Sequence, residues 1–397
     1  MTELTTDHET YPGLDSLRGI AAIMVVGTHV AFWAGHYTHG ILGAMTSRLD
    51  LGVAFFFVLS GFLLGHPFLL AMAEQRQLPA TGRYLWKRAL RIVPLAVIVT
   101  VAALALLDDN AGATLGTWVR NLTLTALYID GTLPAGLTHM WSLATEIAFY
   151  LVLPILMWAF ARLLCRRGWN PRGIYLALAA LCVVNVVWLV EVAPHRIGAG
   201  QWLPAYLSWF SVGLAYAVMT IERRRPGGRD RYQFWTTLAA MPGTCWVLAL
   251  ALFAIAATPI GGPILLQAPT HTEAVSKNLL YAVIAGLIVL PSVLGPTTGT
   301  RYARLMGNRV LRHVGHISYG IFCLHLIVLH AVSSQLDLPV FQGNGWQLFG
   351  ATLAVTLVLS EIAYRVVERP SMRLKNLRIS RSKTHAAAAA TDATTHH

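Results

Sequence analysis

Apolar runs about twenty residues long recur along the whole chain, separated by short segments that hold most of its Lys and Arg. A helix rises about 1.5 Å per residue, so one such run crosses the ~30 Å apolar core of a bilayer. Only helices and closed barrels satisfy their backbone polar groups there. Ten runs are recognisable, at residues 14–37, 51–73, 92–107, 139–161, 174–192, 202–220, 243–258, 275–295, 316–334 and 346–366. The predicted fold is an all-α, polytopic integral membrane protein of about ten transmembrane helices, with both termini on one side. Residues 111–138 fit less well, because the amphipathic stretch 114–128 contains Arg120 and Asn121 and leads into Gly131–Gly136. An interfacial or re-entrant helix is expected there.

Charge supports this topology. Of the 397 residues 55% are hydrophobic and 12% charged, whereas a soluble domain carries about 25% charge. A net charge of +12 would suit a nucleic-acid partner, but twenty-five of the thirty basic residues fall in the segments 74–91, 162–172, 221–231, 301–312 and 365–383. The opposite side holds Arg48, Arg120, Arg196 and Lys277, and Arg18 ends the first helix. This asymmetry marks the basic side as cytoplasmic, and nucleic acid is set aside as a partner. Cys165, Cys182, Cys245 and Cys323 form no CxxC pair or His/Cys ligand spacing, so neither a disulfide framework nor a metal site is expected. The first apolar run lacks a basic n-region and a cleavage site, so it should remain as a helix. The expected organisation is a cytoplasmic tail at 1–12, a transmembrane domain at 13–370, and a basic then low-complexity cytoplasmic tail at 371–397, with no soluble domain fused.

Ionisable residues inside apolar spans point to function, because burying them costs free energy unless a cavity or partner receives them. Arg18 and His29 are eleven residues apart on the first helix, almost a whole number of turns and about 16 Å of rise, so they share a face. His29 could be a packing histidine. However, the small residues Gly19, Ala21, Ala22 and Gly27 allow close helix approach, and a neutral imidazole can take a hydroxyl proton near neutral pH. Asp15 should orient Arg18 and favour the helix N-terminus. Arg88 and Arg91, three apart, share a face and with Arg18 would form a trident for phosphates, although positive-inside anchoring explains most basic residues here.

Further along, Trp141, Glu146, Phe149 and Tyr150 put a carboxylate into a span, where it must meet His29, an arginine or a water-filled pore. Phe149 and Tyr150 read as packing or cavity wall. Ser318, Tyr319 and His325 form a second polar set that could simply cross-link helices. Glu361 lies in the last span's inner half, and Glu368 looks paired with Arg365 or Arg369.

These motifs together resemble the acyltransferase-3 family of integral-membrane O-acyltransferases. The resemblance rests on Leu14-Asp15-Ser16-Leu17-Arg18-Gly19 through His29, Phe55-Phe56-Phe57-Val58-Leu59-Ser60-Gly61-Phe62, Arg88 with Arg91, Trp141-Ser142-Leu143 with Glu146, Phe149 and Tyr150, and Ile317-Ser318-Tyr319 with His325. It spans residues 13–370 and implies a ten-helix domain of the bacterial plasma membrane. The implied activity is acyl transfer, commonly of acetyl, from cytoplasmic acyl-CoA to a hydroxyl of an envelope carbohydrate, glycolipid or secreted metabolite. The resemblance implies catalytic roles for His29 and Glu146 and donor binding by Arg18, Arg88 and Arg91. Asp15, Trp141, Tyr150, Ser318, Tyr319 and His325 would line or support the site.

Many family members carry a C-terminal esterase-like domain that this chain is expected to lack, so it would acylate its acceptor directly or hand over to a separate protein. The stretches 29–36 and 49–57 look most like the trehalose monomycolate acetyltransferase branch, with a lipid exporter as an expected partner. The rival reading from a different class is a transporter or flippase of an acylated lipid or sugar, with the same Arg, His and Glu forming a path. A second enzymatic reading is acylation of a macrolide-like metabolite.

Overall fold

The computed structural model describes residues 11–226, 228–264 and 267–376. The expected tails fall almost wholly outside the described residues. Ten helices organise the remainder: α1 (Pro12–Trp33), α2 (Gly52–Ala73), α3 (Thr81–Leu106), α4 (Trp141–Ala159), α5 (Pro171–Val187), α6 (Leu207–Arg223), α7 (Pro242–Ala256), α8 (His271–Leu294), α9 (Ser318–Gln335) and α10 (Gly345–Ala363). Among the described residues nine helical segments are long and apolar enough to cross a membrane. A tenth is completed if Gln233–Ala239 and α7, bent by 86° at Pro242, count as one span. The all-α polytopic expectation holds.

The helix ends have local causes. Proline at the first turn starts α1 without losing an intrahelical bond. Gly35, at φ 74°, takes the left-handed conformation that stops helix propagation, so α1 ends at Trp33 rather than near Tyr37. Thr270 and Glu273 close a reciprocal capping box that starts α8.

Three boundaries differ from expectation. Helix α3 begins at Thr81, not Ile92, so Arg83, Lys87, Arg88 and Arg91 lie on its first turns instead of in a loop. Lys and Arg are good helix formers, and a hydropathy reading cannot see helix beyond the apolar run. The segment between the first two apolar runs, which ends at Arg48 and Asp50 and would be expected as a connecting loop, is a helix, Gly40–Ser47, followed by a tight turn at Arg48–Leu51. Arg48 is buried there, and its guanidinium donates to the carbonyls of Ala256, Gly262 and Pro263, tying the start of α2 to the end of α7. Residues 111–138 form only the short helices Leu115–Leu122 and Ala126–Ile129, neither of spanning length. The Asn110 amide fastens this region by donating to Ala103 O at 2.9 Å and Ala135 O at 3.0 Å.

Helix α1 packs against α2, α8, α9, α10 and the amphipathic Arg309–His316. Its N-terminal end is held by Ser16, whose hydroxyl donates to Met306 O at 2.6 Å. The closest helix contact is α2 on α6, where Gly61 and Gly213 face each other's backbones. A Cβ at Gly61 would collide with the Phe210 carbonyl, and one at Gly213 with the Val58 carbonyl. Small residues bring the backbones together where lipid supplies no hydrophobic drive for helix association.

Gly213→Ala should therefore lower stability by roughly 1–3 kcal/mol, the usual range for overpacking. Thermal unfolding in detergent should show the drop, whereas Gly82→Ala, whose Cβ meets nothing within 4 Å and which lies in helix α3, should leave the midpoint unchanged or raised.

Candidate active site

Five helices converge on an open cavity of about 80 Å3. Arg18 comes from α1, Ser60 from α2, Arg88 and Arg91 from α3, Glu146 and Tyr150 from α4, and Ser318 and Tyr319 from α9. Tyr319 locks α9 to α3 by donating to Ile92 O at 2.7 Å, next to Arg91. The Ser60 hydroxyl donates to the Glu146 carboxylate. Among the described residues no carboxylate stands within ion-pair distance of Arg18, Arg88 or Arg91. The buried Arg88 Nε has no hydrogen-bond partner. Three like charges around one space repel unless an anion joins them, and forked guanidiniums suit phosphate oxygens.

A second cavity, of about 390 Å3, is lined by His29, Thr28, Tyr37, Arg48, Asp50, His139, Trp141 and Lys277. Arg48 and Lys277 are two of the four basic residues assigned by sequence to the cation-poor side. Ser142 and Phe322 belong to the walls of both cavities, so the two meet there. Tyr37, between α1 and the following helix, donates to Thr28 O at 2.9 Å, and burial pushes its phenol above the ordinary range, so it stays neutral.

Three histidines gather at this junction. His29 Nδ1 lies 2.8 Å from Val25 O and 3.2 Å from His325 Nε2, while His325 Nδ1 lies 2.6 Å from Phe322 O. A carbonyl can only accept, so in the neutral rings both Nδ1 atoms carry the proton. His29 Nδ1–H is then shared with the lone pair of His325 Nε2. His29 Nε2 is left as a proton acceptor. His139 packs 4.6 Å from His325 and 6.4 Å from His29 between ring centroids, and neither of its buried nitrogens has a hydrogen-bond partner. Among the described residues no His, Cys, Asp or Glu cluster is arranged to hold a metal ion.

The structure thus brings Arg18, Arg88, Arg91, Glu146, Tyr150, Ser318 and Tyr319 to one cavity, and His29 and Trp141 to the other, with His325 directly behind His29. Of the three settings expected for Glu146, namely His29, an arginine or a water-filled pore, the structure gives the arginine cavity, with Ser60 as its hydrogen-bond donor. Asp15 was expected to orient Arg18, yet its carboxylate sits 3.9 Å from Arg312 Nε and 3.5 Å from His316 Nε2. Arg365 pairs with Glu361, at 2.5 Å, and not with Glu368. Glu368 is buried without a hydrogen-bond partner, and Arg91 and Arg18 are its electrostatic neighbours. The sequence reading passed over His139 altogether. The rule that singles out intramembrane ionisable residues would have found it, because it opens the run 139–161.

The site is thus a guanidinium cavity and a histidine cavity side by side in an α-helical membrane domain. Residues 11–365 match the family model described as an acyltransferase domain, and the chain belongs to that family. It is 25% identical over 382 residues to the peptidoglycan O-acetyltransferase OatA of Listeria monocytogenes, across 90% of this chain and 55% of that protein. It is 28% identical over 390 residues to the acyltransferase MdmB of Streptomyces mycarofaciens, across 91% of this chain and 92% of that one. The chain therefore spans about half the length of the peptidoglycan enzyme. No solved structure matches it.

Burying polar atoms without partners costs about 1–3 kcal/mol, so His139→Leu should leave stability unchanged or raised. His325→Leu, which removes the partner of His29, should lower it. The two thermal midpoints, measured in the same detergent, check the contrast.

Proposed function

We propose that this chain is a membrane O-acyltransferase that moves an acyl group, acetyl in the first instance, from cytoplasmic acyl-CoA to a hydroxyl of a cell-envelope glycolipid or carbohydrate. Trehalose monomycolate is the acceptor favoured by the sequence stretches 29–36 and 49–57, and a macrolide-like metabolite is the alternative. The bacterial plasma membrane is the proposed location, with a lipid exporter as partner. The observation that carries the reading is the meeting of the two cavities at Ser142 and Phe322, with cations on one side and His29 on the other.

In this reading Arg88, Arg91 and Arg18 hold the phosphates of the donor, and the thioester reaches the junction beside His29. His29 Nε2 takes the proton of the acceptor hydroxyl as its oxygen attacks the thioester carbonyl carbon. His325 Nε2, accepting from His29 Nδ1–H, supports the imidazolium that forms. The Ser142 hydroxyl, which lines both cavities at the junction, is the side-chain donor placed to stabilise the oxyanion. The C–S bond then breaks, the imidazolium returns its proton to the thiolate, and free CoA and the new ester result. Glu146 holds Ser60 and offsets the charge of the arginines, and Tyr150, Ser318 and Tyr319 shape the donor cavity.

Purified protein in nanodiscs, given acetyl-CoA and an envelope lipid extract, should release free CoA and form an acyl ester. His29→Gln should lower this rate by about 100-fold to 10,000-fold with acetyl-CoA affinity retained. Arg88→Ala with Arg91→Ala should instead weaken acetyl-CoA binding by about tenfold or more. Release of no CoA by the wild type, the behaviour of a pure transporter, would contradict the proposal.

A further inference from the structure

Beside the His29-lined cavity lies a pocket of about 450 Å3 that reaches Thr270 at the start of α8. The two share Asp50, Val53, Trp141, Tyr206 and Lys277, so one wall serves both. That wall is aromatic. Trp141 stacks on Tyr206 with centroids 5.3 Å apart and planes 29° apart, and Tyr206 is followed by Trp209 at 4.6 Å.

An ion pair is set into the same wall. Lys277 Nζ donates to Asp50 Oδ2 at 2.7 Å, and the Tyr281 hydroxyl donates to Asp50 Oδ1. The Lys277 and Asp50 side chains keep 32% and 39% of their exposure, and both line the cavity. One of the three ammonium donors is committed to Asp50, and each carboxylate oxygen keeps further acceptor capacity.

This combination selects a ligand class. The opposite charges of Asp50 and Lys277 offset each other, so the pocket has no excess positive charge with which to hold a phosphate, unlike the arginine cavity. A partly exposed ion pair is poor company for an acyl tail, because the apolar chain would have to strip its water. A sugar ring fits both halves. Its C–H faces lie on aromatic rings, while its hydroxyls exchange donors and acceptors with an ammonium and a carboxylate.

We propose that this outer pocket is the acceptor site and binds a saccharide, with Trp141 and Tyr206 as the stacking platform and Asp50 and Lys277 as the hydroxyl-reading pair. The proposal rests on the acyl-transfer reading above and adds where the acceptor sits and what part of it is recognised. The platform residues Trp141 and Tyr206 also line the His29 cavity, so recognition and deprotonation would fall on one ligand. Trp141, immediately before Ser142 at the junction, links the two.

The test supplies purified protein in nanodiscs with radiolabelled acetyl-CoA and, in separate arms, methyl β-glucoside, 1-butanol or hydroxylamine. The glucoside should be acetylated with a KM about tenfold or more below that of butanol. Trp141→Leu and Lys277→Gln should each raise the glucoside KM by about tenfold and shift the butanol KM far less, with Trp141→Phe restoring most of the loss. Thermal midpoints show that each variant is folded. Equal use of glucoside and butanol, parallel KM changes for both, or CoA release with hydroxylamine alone would overturn the saccharide pocket and leave the acyl-transfer reading standing. CoA release in none of the arms would overturn both.

Discussion

The contact between His29 and His325 is the interaction on which the arrangement of this protein turns. A histidine in the middle of an apolar helix is tolerable only if its polar atoms are received, and here the Val25 carbonyl and the facing imidazole receive Nδ1. The same contact joins α1 to α9, so the helix that brings Arg18 to the arginine cavity is registered against the helix that brings Ser318 and Tyr319 to it. It also sets the tautomer. With both Nδ1 protons held by carbonyls, the neutral His29 ring keeps Nε2 as a proton acceptor.

Around that contact the charges are separated. The unpaired guanidiniums and Glu146 lie in one cavity; Arg48, Asp50 and Lys277 lie in or beside the other. The partition matches the two chemical demands of acyl transfer. A phosphate-bearing donor needs excess positive charge, whereas a neutral hydroxyl acceptor needs none. Arg48 belongs structurally to the second cavity, yet its guanidinium is committed to three backbone carbonyls and so braces the wall.

What could be read from the sequence is what helical geometry and hydropathy encode. Spacings of eleven and three residues put Arg18 with His29, and Arg88 with Arg91, on common faces, and apolar run lengths gave the all-α membrane fold. Cross-chain relations were invisible. Ser60 and Glu146 are 86 residues apart, and His29 and His325 are 296 apart, so no local pattern announces either pair. For the same reason Glu368 was matched with the nearest arginines in sequence, although Arg365 turns to Glu361 one helical turn back. Arg48 was legible only as a cation on the cation-poor side, because hydropathy separates apolar from polar but does not distinguish a solvated cation from one buried among carbonyls. His139 stands alone in its segment, and its meaning comes only from two rings brought to it by other helices.

In the proposed reaction, donor and acceptor enter from opposite sides and meet at Ser142 and Phe322. A cryo-electron-microscopy map of the protein with acetyl-CoA bound checks this route. Phosphate density is expected against Arg18, Arg88 and Arg91, with the pantetheine arm running to the junction beside His29. Phosphate density on the side of Lys277 and Thr270, with the arginine cavity empty, would contradict it.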